Sequence, residues 1–362
     1  MEEILKITRQ LIGYKTMQSH PGEIARCADF IGEYMNRHAI PYGRVDYEGI
    51  PSIAACGTKG RVPVLLMSHL DVVDGPDELF EPREEEGRLY GRGSLDDKYA
   101  VALSMVLMRE HLDAIRRSGG DPEDPSIGIL ITGDEEVGGH RGAERALERV
   151  RTDFCIALDG GGLNKIVIKE KGILRLKLIA RGKTAHGARP WLGENAIENL
   201  IRDYGIMREF FLDSTPEHWH RTMNFSVVRA GKALNQVPDY AEALFDIRYT
   251  EQDDLDYLLE KIGERIGGEL LVEAREPLFE GGDSPYLDLL LETAKGTSVG
   301  FEHGASDARF LSDHGIPGIV WGADGDHSAH SDREHVEIDS IRRLHGILKE
   351  FMERIPSPAL SV

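Results

Sequence analysis

Residues 62–159 decide the fold, because short apolar runs alternate there with segments of helical pattern. The runs VPVLLM (62–67), SIGILIT (126–132) and FCIALD (154–159) predict strands, and helices are predicted from about 97 to 117 and 143 to 150. This alternation is typical of a mostly parallel sheet with helices on both faces. We therefore predict an α/β fold for this part of the chain.

The pattern changes after residue 167. Strands are predicted at 166–181, 222–230, 240–250 and 269–275, and helices at 195–211 and 252–266. The order β-α-β-β-α-β is ferredoxin-like. Helices then return around the short strand GIVWG (318–322), and the acidic run 84–86 is predicted to be a solvated loop. We predict a discontinuous catalytic domain of residues 1–167 and 280–362 and an inserted α+β domain of residues 168–279.

Composition and local sequence pattern argue against several classes of partner and of cellular location. The formal net charge of -20 disfavours nucleic acid and anionic lipid surfaces. The longest apolar run, 100–108, is far shorter than a membrane helix requires, and the N-terminal segment has the pattern of an amphipathic helix and not of a signal peptide. Three widely spaced cysteines predict neither a disulfide framework nor a thiolate metal site, so we expect a cytoplasmic protein.

Charged and imidazole side chains are concentrated in five short segments, three of which lie at the ends of the predicted strands. Since ligands collect at the carboxyl ends of parallel strands, these groups should meet at one edge of the sheet. The segments are SHLDVVDGP (68–76), YGRGSLDDK (90–98), TGDEEVGG (132–139), ALDGGG (157–162) and GDHSAHSDREHV (325–336).

In this order, with an insertion after the fourth segment, the set resembles one metallopeptidase family. That family includes glutamate carboxypeptidase, acetylornithine deacetylase, succinyl-diaminopimelate desuccinylase, aminoacylase and the bacterial and carnosinase-type dipeptidases. The resemblance covers nearly the whole chain. It implies two divalent metal ions, usually zinc, a hydroxide held between them, and an inserted domain that serves as lid and dimerisation domain.

The resemblance also implies five metal ligands. His69 and Asp159 resemble the ligands of one metal, Glu136 and His330 those of the other, and Asp96 the carboxylate that bridges both. Imidazole and carboxylate without thiolate suit zinc, cobalt or manganese.

Glu135 remains for catalysis. Adjacent residues at a strand end point to different sides, so Glu136 can bind metal while Glu135 takes a proton from the bridging water and returns it to the leaving amine. Asp71 is placed to accept the second ring N–H of His69, and the alternative for Asp71 is a cap or turn residue.

Three histidines lie in the last segment, and the register of the family pattern selects one. The family has His followed four residues later by Glu and six later by Val, which here are His330, Glu334 and Val336. His327 is then a neighbour in the loop.

The inserted domain supplies three more candidates by resemblance. His186 in GKTAHGARP resembles the histidine that helps to stabilise the oxyanion in the partner subunit's site, and Asn235 and Arg248 resemble the residues that bind the substrate's carbonyl and carboxylate. Their alternatives are a loop histidine, a turn asparagine and a surface arginine. Tyr99 and His303 stand where the family commonly has glycine. Each residue either alters the substrate pocket or is a packing substitution.

The expected function is hydrolysis of an amide bond in a small peptide or N-acyl-amino-acid substrate by a homodimer. Aspartate at position 159 and the sequence GRGSLDDK resemble the carboxypeptidase and dipeptidase branches more than the deacylases. Cleavage of dipeptides or of C-terminal residues is therefore favoured. The alternatives are an N-acyl-amino-acid deacylase and a non-catalytic metal-binding relative.

Overall fold

The computed structural model describes residues 1–58, 60–160, 162–212, 215 and 218–355. Its helices are α1 (Glu2–Ile12), α2 (Pro21–Arg37), α3 (Lys98–Ser118), α4 (Ala143–Leu147), α5 (Ala196–Arg208), α6 (Leu255–Gly263), α7 (Pro285–Thr293), α8 (Arg309–Asp313) and α9 (Ile338–Arg354).

Sixteen strands are described in the same residues. They are β1 (Gly43–Tyr47), β2 (Ile50–Ala55), β3 (Arg61–His69), β4 (Arg83–Glu85), β5 (Arg88–Tyr90), β6 (Ile127–Thr132), β7 (Arg151–Ala157), β8 (Lys165–Glu170), β9 (Gly172–Arg181), β10 (Thr222–Ala230), β11 (Tyr240–Tyr249), β12 (Glu269–Glu276), β13 (Phe279–Glu280), β14 (Ser298–Glu302), β15 (Gly318–Val320) and β16 (His335–Glu337).

The chain divides into two compact units. The first contains Met1–Lys169, Phe279–Glu302 and Ser306–Val362, whose residues after 355 lie outside the described part of the chain; the second contains Glu170–Leu278 and His303–Ala305.

The first unit is built on a nine-stranded sheet of order β1-β2-β6-β3-β7-β15-β8-β13, with β14 on β8. Its centre is parallel, because β3 pairs in parallel with β6 and β7, and β15 with β7. Alternate residues of β3 enter different cores: Val64 and Leu66 pack with α1, α2, α3 and α9, while Leu65 and Met67 pack with α4 and α8. Helices therefore cover both faces of a mostly parallel centre, which confirms the predicted fold class.

Helix α3 packs against the central sheet through a long buried segment. All of its first eleven residues are buried, and Gly119, in the left-handed conformation, ends it. A helix packed in this way gives the residues just before Lys98 a rigid support. That segment carries Asp96 and Asp97.

The second unit has a four-stranded antiparallel sheet of order β10-β11-β9-β12. Helices α5 and α6 supply apolar residues to the core on its buried side, among them Leu200 and Leu258. Asn195 and Asp254 cap these helices, each accepting a hydrogen bond from a backbone N–H in the first turn. This strand order and these crossovers are those of a ferredoxin-like unit.

Two local predictions from the sequence are wrong. The run 166–181 is two strands, β8 and β9, which lie in different sheets and meet at Lys171. The acidic run predicted as a loop is mostly strand β4, an exposed edge of the small sheet β16-β5-β4. No helix in the ranges that the structure describes is both long and apolar enough to cross a membrane.

Candidate metal centre

The candidate site lies where several chain segments leave the central sheet. His69 is the last residue of β3, and Asp159 follows β7 by two residues. Asp96 precedes α3, and His330 lies in the loop before β16. Because β3 and β7 are parallel neighbours, their carboxyl ends bring two of these side chains to the same edge.

Asp96 stands between two histidines. Its Oδ1 lies 2.9 Å from Nε2 of His69, and its Oδ2 lies 3.0 Å from Nε2 of His330. Asp159 Oδ1 is 3.8 Å from the same His69 nitrogen, and Glu136 Oε2 is 3.2 Å from the His330 nitrogen. One carboxylate thus faces two clusters, each of which contains one imidazole and one further acid.

These clusters are the two groups of described residues whose ligand atoms lie close enough to share an ion: His69, Asp96 and Asp159, and Asp96, Glu136 and His330. Within the first, His69 Nε2 and Asp96 Oδ1 are buried and have no hydrogen-bond partner among the described residues. Hard oxygen and imidazole ligands with no thiolate fit divalent cations of the zinc, cobalt or manganese type. The residues present therefore fit two such ions.

Electrostatics favour a cation at this edge. Burial raises the pKa of Glu135 well above its ordinary value, and the neighbouring Asp159 adds to the rise. Burial also raises the pKa of Asp97. For Asp96, burial raises the pKa, but the imidazoles of His330 and His69 outweigh this effect and lower it, while Asp96 and Glu136 raise the pKa of His330 to about 10. Excess buried negative charge is relieved by a positive ion.

The side chains of Glu135 and Glu136 point in different directions because these residues lie in a turn, and not because they alternate along a strand. Residues Glu135–Val137 form one 3₁₀ turn after β6. Successive side chains of a 3₁₀ turn point about 120° apart. Glu136 is directed to His330, whereas Glu135 lines a pocket together with His69 and Asp159.

Asp71 organises this turn. Its Oδ1 and Oδ2 accept the backbone N–H groups of Glu135 and Glu136, each at 3.1 Å. His69 Nδ1 lies 3.1 Å from the carbonyl oxygen of Asp71 and 3.4 Å from its Oδ1. Asp71 is completely buried, and it connects the turn that carries Glu135 and Glu136 with His69.

The other histidines of the last segment lie elsewhere. His327 is exposed and belongs to neither cluster. His335 Nδ1 contacts the carbonyl of Arg333 at 2.9 Å, and its Nε2 lies 3.6 Å from Asp326. Only His330 of these three directs a ring nitrogen at Asp96 and Glu136.

In the second unit, the His186 and Asn235 loops lie side by side. Gly187 N–H donates to the carbonyl of Asn235 at 2.7 Å, and His186 forms a β-bridge with Gln236. Arg248 lies near the opposite end of β11, where its Nε donates to Asp246 at 2.7 Å. The candidate ligands of the first unit are thus grouped, whereas in the second unit Arg248 lies apart from His186 and Asn235.

Sequence reasoning missed the buried groups that support these residues. Arg92 and Glu334 are buried beside Asp96 and His330, and Asp307 lines the pocket of Glu135. Arg309 donates to the carbonyls of Ser306 and Gly138, each at 2.7 Å, and is therefore engaged within the first unit. The sequence did contain a signal for two of these residues, since Arg92 and Glu334 lie inside the segments that carry the proposed ligands.

A family profile and a curated relative both match most of the chain. The profile of peptidase family M20/M25/M40 matches residues 65–354. The chain is 29% identical over 343 residues to succinyl-diaminopimelate desuccinylase of Paracoccus denitrificans, covering 86% of this chain and 88% of that protein.

Solved structures share the fold. Aminopeptidase PepT from Bacillus cereus superimposes with a TM-score of 0.78 at 19% identity, covering 97% of this chain and 98% of that one. An M20 family metallo-carboxypeptidase from Sulfolobus solfataricus gives a TM-score of 0.76 at 18% identity, covering 98% and 99%. The chain belongs to peptidase family M20/M25/M40, and is a hydrolase that depends on a dinuclear metal site.

Proposed function

We propose that this enzyme hydrolyses the amide bond of dipeptides, or the bond before the C-terminal residue of short peptides, with Glu135 as the general base. One observation carries the proposal: Glu135 belongs to neither ligand cluster of the described residues, yet it lines the pocket that contains His69 and Asp159. A carboxylate beside the metals but outside their ligand set is available for proton transfer.

The ligands are proposed to be His69 and Asp159 for one ion, Glu136 and His330 for the other, and Asp96 for both. Two divalent ions, zinc in the first instance, supply Lewis-acid chemistry that polarises a carbonyl and acidifies water. The protein's own groups do the rest. Asp71 fixes the backbone of Glu135 and Glu136, and Glu135 accepts the proton of water and delivers it to the departing amine.

Deacylation of N-acyl amino acids is the second candidate. It is supported by the 29% identity to a succinyl-diaminopimelate desuccinylase over most of both chains. Aspartate at position 159 supports the peptidase. Both reactions break an amide bond by the same chemistry, and they differ in the acyl group that the pocket must accept.

A substrate panel separates the two candidates. The protein is stripped with a chelator, reloaded with zinc, cobalt or manganese, and assayed on dipeptides, tripeptides, N-acetyl and N-succinyl amino acids. Turnover of peptides at least tenfold above the acylated amino acids is expected. The reverse preference favours the deacylase, and full activity of the demonstrably metal-free protein contradicts both.

We also propose a homodimer in which the second unit of one subunit completes the site of the other. Tyr240 and Arg248 are eight residues apart on β11, roughly 27 Å at the rise of a strand. A dipeptide is about 7 Å long. One copy of the second unit therefore cannot bring both Arg248 and the His186 loop to the same dipeptide, whereas two copies can.

An exposed strand supports an interface on the second unit. Strand β10 is one of the two edges of its sheet, and most of its residues are exposed. Val228 on this strand and Ile201 on the neighbouring helix α5 are 58% and 62% exposed. An unpaired edge with apolar side chains is suited to pairing with its own copy about a twofold axis.

A cytoplasmic location is proposed from the thiols. Cys27, Cys56 and Cys155 are all buried and free, and burial raises the pKa of Cys27 and Cys56 to about 12. Thiols in this form suit a reducing compartment.

A further inference from the structure

Tyr99 places a phenol hydroxyl between two strand ends. The side chain is 1% exposed, in the first turn of α3. Its hydroxyl donates to the carbonyl of Leu158 at 2.9 Å and accepts the backbone N–H of Ala323 at 2.8 Å. Both hydrogen-bonding functions of the hydroxyl are therefore used.

The hydroxyl acts where the backbone ladder stops. Strands β7 and β15 are parallel neighbours whose last paired residues are Ala157 and Val320. One further bond follows, from Trp321 N–H to the carbonyl of Ala157 at 2.8 Å. Beyond it, Leu158 and Ala323 are joined through Tyr99. Without the hydroxyl, two buried backbone groups would lose a partner, and such groups are costly to leave unpaired.

The fit around the hydroxyl is close. A Cβ atom on Gly322 would lie 2.5 Å from the Tyr99 oxygen and 3.0 Å from the carbonyl of Leu158. Glycine at this position therefore lets the phenol reach both chains. A glycine at position 99 would have no side chain to make either hydrogen bond.

Leu158 immediately precedes Asp159, so a bond that holds the Leu158 carbonyl also limits the position of the Asp159 carboxylate. On its other side, Leu158 N–H donates to the carbonyl of Met67 at 2.8 Å, two residues before His69. The Leu158 peptide groups are thus fixed from two sides, by the strand that ends in His69 and by the helix that follows Asp96.

We propose that Tyr99 is a positioning residue that holds Asp159 in place as a ligand of the metal shared with His69. The inference rests on the ligand role proposed for Asp159. It predicts that the hydroxyl affects one metal site and not the other, since Glu136 and His330 are supported by different contacts.

Tyr99→Phe removes the hydroxyl and keeps the ring. Calorimetric titration of the metal-free protein with zinc is expected to show affinity reduced by about tenfold at one site and unchanged at the other, as is usual when a group that orients a ligand is lost. The value of kcat should fall while KM stays within about twofold. Tyr34→Phe is the matched control, because Tyr34 is also buried and its hydroxyl contacts Glu3 at 3.3 Å, in a different part of the first unit.

A second replacement guards against misfolding. Substituting Tyr99 by 4-aminophenylalanine keeps the ring and a donor for the Leu158 carbonyl. This variant should retain the affinity that Tyr99→Phe loses. Equal weakening of both sites, or no weakening in Tyr99→Phe, would overturn the inference.

Asp159→Asn tells this failure apart from failure of the proposed ligand set. If Asp159→Asn weakens one site while Tyr99→Phe changes neither, only the role of Tyr99 is wrong. If Asp159→Asn changes neither site, the ligand role of Asp159 is wrong, and the positioning role is lost with it.

Discussion

Arg92 and Glu334, which are 242 positions apart in the chain, form a buried ion pair at 2.6 Å. The second oxygen of Glu334 accepts the N–H groups of Leu95 and Asp96, both at 3.2 Å. Arg92 also donates to the carbonyl of His330 at 3.3 Å. The pair therefore holds together the two segments that carry Asp96 and His330, the residues proposed as metal ligands.

Glu334→Gln should destabilise the metal-free protein by about 3–5 kcal/mol, because it leaves the buried Arg92 without a compensating charge. Urea unfolding measures this loss. The matched control is Asp339→Asn, which breaks an exposed pair with Arg342 and should leave the unfolding midpoint unchanged. Equal midpoints for the two variants would show that Arg92 and Glu334 do not stabilise this region.

Glu135→Gln should lower kcat by several orders of magnitude and still bind two metal ions, because Glu135 is proposed to transfer protons and not to bind metal. Glu136→Gln, one residue on, should lose one of the two ions. Metal content measured by atomic emission on dialysed protein, beside kcat, tests both. A Glu135→Gln protein that binds a single ion would make Glu135 a ligand.

Arg248→Ala should lower kcat/KM for substrates with a free C-terminal carboxylate. The expected loss corresponds to roughly 2–4 kcal/mol of transition-state stabilisation. The guanidinium can bind a carboxylate through two parallel hydrogen bonds, which Lys cannot reproduce, so Arg248→Lys should not restore activity. Substrates amidated at the C-terminus are the control and should be affected much less. Equal losses on both substrate types would give Arg248 a structural role through Asp246.

The proposed dimer can be tested by mixing two inactive variants, His186→Ala and Glu135→Gln. If His186 acts in the partner's site, each mixed dimer contains one complete site, and equal mixing should restore about a quarter of the normal activity. If His186 acts in its own subunit, no complete site forms. The activity of the two variants, measured after mild dissociation and mixing, distinguishes these cases. Size-exclusion chromatography gives the oligomeric state, and an active protein that remains monomeric contradicts the dimer.

Stability should fall in mild acid because of His111. Burial lowers the pKa of this histidine to about 4, and its Nε2 accepts the N–H of Ser126 at 3.2 Å. The neutral form is favoured by folding, so stability is complete above the unfolded pKa of 6.5 and is lost as the pH falls from 6.5 towards 4, by up to about 3 kcal/mol. Urea unfolding of the metal-free protein at pH 7 and pH 5 should show a smaller difference in His111→Gln than in the unsubstituted protein.

The fold and the site were predictable to different depths. Strand patterns and the rule that ligands collect at strand ends were enough to place His69 and Asp159 at one edge, and the register of one short motif selected His330. The break between β8 and β9 was not visible, because the residues on either side of Lys171 continue a single strand pattern. The supporting roles of Arg92, Glu334 and Tyr99 depend on contacts between residues more than fifty positions apart in the sequence, which the local sequence pattern does not encode.

The position of β15 has a consequence for the order in which the enzyme matures. This strand lies between β7 and β8 in the sheet, although it follows them by about 150 residues in the chain. During synthesis from the N-terminus, the sheet must keep that gap until residues 318–320 emerge, and His330 and Glu334 emerge later still. Loading of the second ion is therefore a late event, and a nascent or truncated chain that ends before residue 330 should bind at most one ion.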